Sequence, residues 1–338
     1  MAWLETVLAR LSDAPEWGYV AAGPTAAEPA ALSALALTAH GRHAAARAPL
    51  DWLRRQQAAD GSVGALGGDP DPAWPTAWSV LAWQAAAGLP SSDRSRNDSP
   101  GNTTRGRSQE TAVPRSKSNV PGNATHRDGH RAAAQRGVDW LLEARGKPLE
   151  KTLDLGHNCA LIGWPWVLGT HSWMEPTAMA VLALKATARR SHARTLEAVR
   201  LLIDRLLPDG GCNYGNTEVL GQMLRPHVQP TGLCLWALAG EPDADGRIAR
   251  ARDYLAREIV SQEATASLSY GLLGLAAHGV RPPQAERLLA SAAERTLRRT
   301  PVAYRLALLA LAAPHAGSPF LPDTLPTEDF TPLSTVLP

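Results

Sequence analysis

A short apolar helix, rich in Ala and Leu and usually opened by proline, recurs along this chain. Glu28-Pro29-Ala30-Ala31 leads into LSALALTAHG, Trp74-Pro75-Thr76-Ala77 into WSVLAWQAAAG, Glu175-Pro176-Thr177-Ala178 into MAVLALKA, and Gln229-Pro230-Thr231-Gly232 into LCLWALAG. Two further copies are ASLSYGLLGLAAHG, from Ala266, and Thr300-Pro301-Val302-Ala303 leading into YRLALLALAA. Repetition at this scale restricts a chain to arrays of one supersecondary unit. Proline suits the start of such a helix, because the N–H it lacks would be unpaired there anyway. The segments are apolar nearly all round, which demands burial on every side.

Between them lie amphipathic segments rich in Arg and Glu: Trp3–Leu11, Ala48–Gln57, Arg131–Arg145, Ala193–Leu207, Arg247–Ile259 and Gln284–Arg299. Their apolar residues, such as Val138, Leu141 and Leu142, fall at helical spacing and leave one wet face. Six buried helices alternating with six amphipathic ones predict an all-α fold, an (α/α)6 toroid of inner and outer helices. All inner-helix N-termini then share one end. Two stretches break the pattern. Residues 91–130 are dominated by Ser, Arg, Asn, Thr, Gly and Pro, too polar to offset their ordering entropy, and are expected to be a disordered insertion. The toroid is expected to span 1–90 and 131–314, with a Pro-rich tail over 315–338.

Several function classes are disfavoured. A formal net charge of +2 over 338 residues favours neither nucleic acid nor an anionic membrane surface. No stretch approaches the roughly 18 apolar residues of a membrane span, and the start Met-Ala-Trp-Leu-Glu-Thr lacks the pattern of a signal peptide. Three cysteines, Cys159, Cys212 and Cys234, cannot form a closed disulfide framework. The expected location is therefore the cytoplasm, and the Arg- and Ala-rich, Lys-poor usage reads as bacterial coding bias. The 11 Trp against 2 Phe, both in the tail, point to uses for a flat indole face beyond core packing.

The ends of the amphipathic segments share a motif. Trp52-Leu53, Gln57 and Gly61 give WLxxxQxxxG; Arg136-Gly137-x-x-Trp140-Leu141 and Arg250-Ala251-x-x-Tyr254-Leu255 give its opening; Asp209-Gly210-Gly211-Cys212-Asn213-Tyr214 follows the fourth outer helix. This resembles the QW repeat of the squalene-cyclase and protein-prenyltransferase superfamily, over nearly the whole chain except the insertion and tail. Each copy is degraded: Val63 and Cys212 stand where the closing Trp belongs, Arg145 and Leu206 where the Gln belongs. The resemblance implies scaffold roles for Trp52, Gln57, Trp140 and Tyr254. It also implies chemistry at the inner-helix starts, where the family's class II cyclases carry an acidic DxDDTA motif.

Aligned on Thr-Ala, Glu175 takes the place of the middle, proton-donating acid, while Trp173 and Pro176 replace its acidic neighbours. His171 is the expected assistant, and Glu28 a second candidate acid. Asp69 and Asp71 lie too far upstream and are read as loop acids. A cavity, if cyclase-like, is expected to be lined by Trp74, Trp78, Trp164, Trp166, Trp173, Tyr214, Gln229, Trp236, Tyr270 and Tyr304, whose rings would stabilise cations. The expected ligand is a hydrophobic isoprenoid or lipid, with no metal, cofactor or nucleic acid. The alternatives are a non-catalytic toroid that binds lipid or protein, and a zinc prenyltransferase-like subunit using Asp209, Cys212 and His227.

Overall fold

A computed structural model describes residues 1–88, 122–150, 156–299 and 301–314. Most of the expected insertion and the Pro-rich tail lie outside them. Among the described residues are twelve α-helices and one two-residue hairpin, so the fold is all-α. None of these helices is long and apolar enough to cross a membrane.

The apolar copies form α2 (Ala27–Ala39), α4 (Thr76–Ala87), α6 (Met174–Ala186), α8 (Val228–Ala237), α10 (Thr265–Ala276) and α12 (Ala303–Ala312). Every residue from Ala27 to Thr38 is buried, as is every residue from Met174 to Leu184. Such helices must cover one another. Accordingly α2 packs on α4, α4 on α6, α6 on α8, α8 on α10, α10 on α12, and α12 back on α2. The closest approach is between α8 and α10, where a β-carbon on Gly232 would meet the Tyr270 carbonyl and one on Gly274 the Gly232 carbonyl.

The amphipathic segments are α1 (Ala2–Ser12), α3 (His43–Gln56), α5 (Gly122–Glu143), α7 (Ala193–Asp204), α9 (Arg247–Glu258) and α11 (Ala285–Arg298), each against one or two apolar helices. The first helix, α1, packs on α2, α11 and α12, so the two ends of the described chain meet. Two starts differ from the sequence reading. The third helix begins at His43 because Pro49 sits inside it rather than opening it. The fifth begins at Gly122, so the last residues assigned to the insertion are helical.

Paired hydrogen bonds join the layers. The Thr of each Pro-Thr pair takes a backbone N–H from the turn before its helix: Val63 to Thr76 Oγ1 (2.8 Å), Trp164 to Thr177 (3.0 Å) and Cys212 to Thr231 (2.9 Å). The Gln57 amide bonds the carbonyls of Gly61 (3.0 Å) and Ala133 (2.9 Å) and accepts from Arg136. Where the Gln is missing, the next outer helix supplies an Arg. Arg194 reaches the Ala144 carbonyl (3.0 Å) and Arg247 that of Asp204 (2.9 Å).

At the C-terminal ends of the apolar helices, basic side chains meet the carbonyls of the neighbouring helix. His40 Nε2 lies 2.8 Å from the Ala310 oxygen and His278 Nε2 2.8 Å from that of Leu235. Lys185 donates to Ala237 (2.6 Å) and pairs with Glu241 (2.6 Å). The Lys185 ammonium complements the negative end of the helix dipole there.

Gly61 and Gly210 hold equivalent turns with φ of +94° and +102°, and a β-carbon there would run into the carbonyls of Arg136 and Arg250. Gly41, at φ +70°, has open space around it. Gly210→Ala is expected to lower stability in urea by ~3 kcal/mol, against ~1 kcal/mol for Gly41→Ala, which bears only the left-handed backbone term. Equal losses would show that the close approach contributes nothing.

Candidate functional site

The second residue of an apolar helix occupies the same level in each copy that opens with an extended cap. That position holds Glu28 in α2, Glu175 in α6, Gln229 in α8, Ala266 in α10 and Tyr304 in α12. Since the helices pack in sequence, these residues gather at one end. Gln229 Nε2 donates to Glu175 Oε1 at 3.0 Å.

Glu28 is the centre of the group and only 6 % exposed. Its Oε2 accepts the Tyr19 hydroxyl at 2.6 Å and its Oε1 the Tyr270 hydroxyl at 3.2 Å. The buried Trp78 N–H has no hydrogen bond of ordinary geometry, yet it lies near enough to Glu28 to favour its ionised form. Tyr19 stacks on Tyr304 with centroids 5.0 Å apart. Trp78 packs on Trp236 (6.0 Å) and on Tyr270 (6.3 Å), so residues of α4, α8 and α10 meet between the helices.

Burial dominates the electrostatics. It pushes the Glu28 carboxyl up to about 7, against the lowering effect of the phenol and indole donors, and the nearby Glu175 charge raises it further. The rise from 4.5 corresponds to roughly 3 kcal/mol against ionisation. A helix N-terminus favours a carboxylate by only about 0.3–1 kcal/mol at exposed sites, so desolvation wins. Burial also raises Glu175, although the Gln229 hydrogen bond opposes it. Tyr19, Tyr270 and Tyr304 are raised mainly by burial and stay protonated donors. The result is a carboxyl that gives up its proton near neutral pH, among phenols and indoles.

Of the residues singled out from sequence, Glu28, Glu175, Trp78, Gln229, Trp236, Tyr270 and Tyr304 fall in or beside this group. The rest lie elsewhere. His171 makes no hydrogen bond to Glu175. Its ring stacks on Trp173 (4.7 Å), and burial and the Arg205 charge lower its pKa. Tyr214 is partly exposed and stacks on His227 (5.2 Å), though the Glu175 charge still reaches it. Trp74 meets Trp166 edge-on at 4.9 Å. Those two rings, with Trp140, Trp164 and Pro176, border a separate cleft of about 10 Å³, room for one water-sized occupant.

Trp164, which borders that cleft, also ties the layers together. Its Nε1 donates to the Leu141 carbonyl at 3.0 Å, and the Arg194 guanidinium covers the ring at 4.4 Å. With its backbone N–H on Thr177, it holds the closing position that Val63 and Cys212 hold in other copies. Of the zinc candidates, Cys212 is fully buried beside Cys234, and His227 is engaged with Tyr214. Among the described residues, no three His, Cys, Asp or Glu side chains are grouped to hold a metal ion.

The sequence reading missed Tyr19. It sits in the connection before α2, flanked by Gly18 and Gly23, where no periodicity marks which way a side chain turns. No family model matches this sequence, and neither does any curated protein.

Glu28 makes stability depend on pH in a definite sense. Its folded pKa lies above its unfolded one, so its favourable contribution is complete below about pH 4.5 and is lost as pH rises to about 7. Glu28→Gln removes that dependence. In urea melts the variant should gain roughly 3 kcal/mol on wild type between pH 4 and pH 8, and parallel profiles would refute a buried neutral Glu28.

Proposed function

We propose that the cycle of helices is an (α/α)6 toroid of the squalene-cyclase and prenyltransferase kind. In this reading it binds a hydrophobic isoprenoid or similar lipid where Glu28 and Glu175 open their helices, and Glu28 is its proton donor. The carrying observation is the Glu28 carboxyl itself, buried and held by Tyr19 and Tyr270 with Trp78 and Trp236 alongside. A carboxyl in such surroundings has a proton to give and aromatic faces to steady a developing cation. The degraded QW copies and the Pro-opened helices support the same family of folds.

The chemistry is narrower than the resemblance implies. An acid that releases its proton near neutral pH is matched to general acid–base exchange, such as opening an epoxide or shifting a double bond beside an oxygen function. It is poorly matched to protonating an isolated alkene, which requires a much stronger acid. Isomerisation or ring closure of an oxygen-bearing isoprenoid is therefore the favoured reaction, with Glu175 as the second carboxyl.

One observation favours a second reading, a toroid that binds a lipid or protein without catalysis. Trp78, Trp236 and Tyr270 meet between the helices and fill the place a long polyisoprenoid would occupy. The test is incubation of wild type, Glu28→Gln and Glu175→Gln in D2O with oxidosqualene, squalene and shorter isoprenoids, followed by mass analysis. Wild type should convert an oxygen-bearing substrate with deuterium incorporation, and Glu28→Gln should be slower by about 10²-fold or more. Identical, product-free profiles for all three proteins would remove the catalytic reading.

A further inference from the structure

A second polar cluster lies away from Glu28. It is formed by the connection before α6, the end of α7, and the hairpin of β1 (Glu218–Val219) and β2 (Gln222–Met223). Arg205 follows α7 and is 3 % exposed. Its Nη1 donates to the Ser172 carbonyl at 2.8 Å. Its Nε is buried without a partner, and among the described residues Nη2 has no hydrogen bond either. Among the described residues no carboxylate pairs with this guanidinium: Asp204 is near enough to act on it, but accepts the Asn158 N–H at 2.8 Å instead.

His157 is 5 % exposed, and its pKa is lowered by burial first and then by the nearby Arg205 charge. Neither ring nitrogen has a hydrogen-bond partner. Thr217, from the hairpin, is also 5 % exposed, and its hydroxyl is likewise buried and unpartnered. Thr217 stands beside the residue that precedes His157: a β-carbon on Gly156 would lie 3.1 Å from Thr217 Oγ1 and 3.0 Å from Glu218 Oε2. The Cys159 thiol completes the group, donating to the His157 carbonyl at 3.6 Å.

Buried polar atoms are nearly always paired, and a buried cation without a counter-charge is costly. Here four such atoms, on Arg205, His157 and Thr217, occur in one neighbourhood. The unpaired Nε–Nη2 edge of a guanidinium is the planar fork that takes two oxygens of one anion. Neutral imidazole offers one donor and one acceptor, and the Thr hydroxyl can turn to donate. We infer that Arg205, His157 and Thr217 form a binding site for a small oxyanion, a phosphate or a carboxylate, independent of the acid group at Glu28. Asp204 and Glu218 at its border limit the site to an anion of low charge and disfavour a polyphosphate.

Thermal melts and calorimetry with inorganic phosphate, acetate and chloride at matched ionic strength test this. Phosphate or acetate should raise Tm saturably by roughly 3 °C, with Kd on the order of 1 mM. Which of the two acts identifies a tetrahedral or a planar anion. Arg205→Gln should abolish the shift, and His157→Gln and Thr217→Val should each weaken binding about tenfold. If Arg205→Gln does not fold, the other two variants decide. A shift no larger than that of chloride, or one unchanged in His157→Gln, overturns the site and leaves these atoms to ordered water.

Discussion

The packing of α12 back onto α2 is the contact on which the rest depends. Helices buried on every side have no face to offer water, so a linear stack of them would end in two exposed apolar flanks. Each fully buried Leu contributes on the order of 2 kcal/mol, and an open edge would forfeit several at once. Closing the cycle removes both edges. The outer layer then has one task, to cover the outward faces, and α1 is placed across the seam between α2 and α12 to do so.

Closure also gives the molecule two unlike ends. Where the apolar helices finish, carbonyls left without intrahelical partners meet His40, His278, Lys185 and Arg281 from adjacent turns. Where they begin, the convergence of N-termini would suit anions, yet the acids found there are so enclosed that burial outweighs the dipoles. One end is thus a solved electrostatic problem. The other holds carboxyls whose pKa burial raises, and such perturbations are where chemistry is sought.

The repeat unit was legible because Pro and a following Thr both have mechanical duties at a helix start. Those duties also fix the level of Glu28, Glu175 and Gln229, so their gathering could be read from alignment of the copies alone. The direction of the aromatic side chains could not. Periodicity reports which face of a helix is apolar, and in these helices every face is. Trp78 therefore looked no different from Trp164, although one lies between the helices and the other pins a turn. The closing role of Trp164 was hidden by the long connection that separates it from α5. Pro49 misled because proline at a helix start and proline inside a helix look alike when the flanking residues are both good helix formers.

The interior and the acid together decide where a ligand can sit. Trp78, Trp236 and Tyr270 are each 3 % exposed or less, and Trp78 packs on both of the others, so aromatic side chains occupy the space between the helices at their level. Opening it would separate stacked rings and strip Glu28 of a phenol, a cost of several kcal/mol from packing and hydrogen bonding combined. Tyr19 is different. It is the partly exposed partner, 40 % accessible, on a connection rather than a helix, and it holds Glu28 from outside. Displacing Tyr19 forfeits one hydrogen bond and one aromatic contact, which a ligand bearing its own oxygen and apolar surface can replace. For the ligand proposed above, the least costly approach to the carboxyl is therefore past Tyr19.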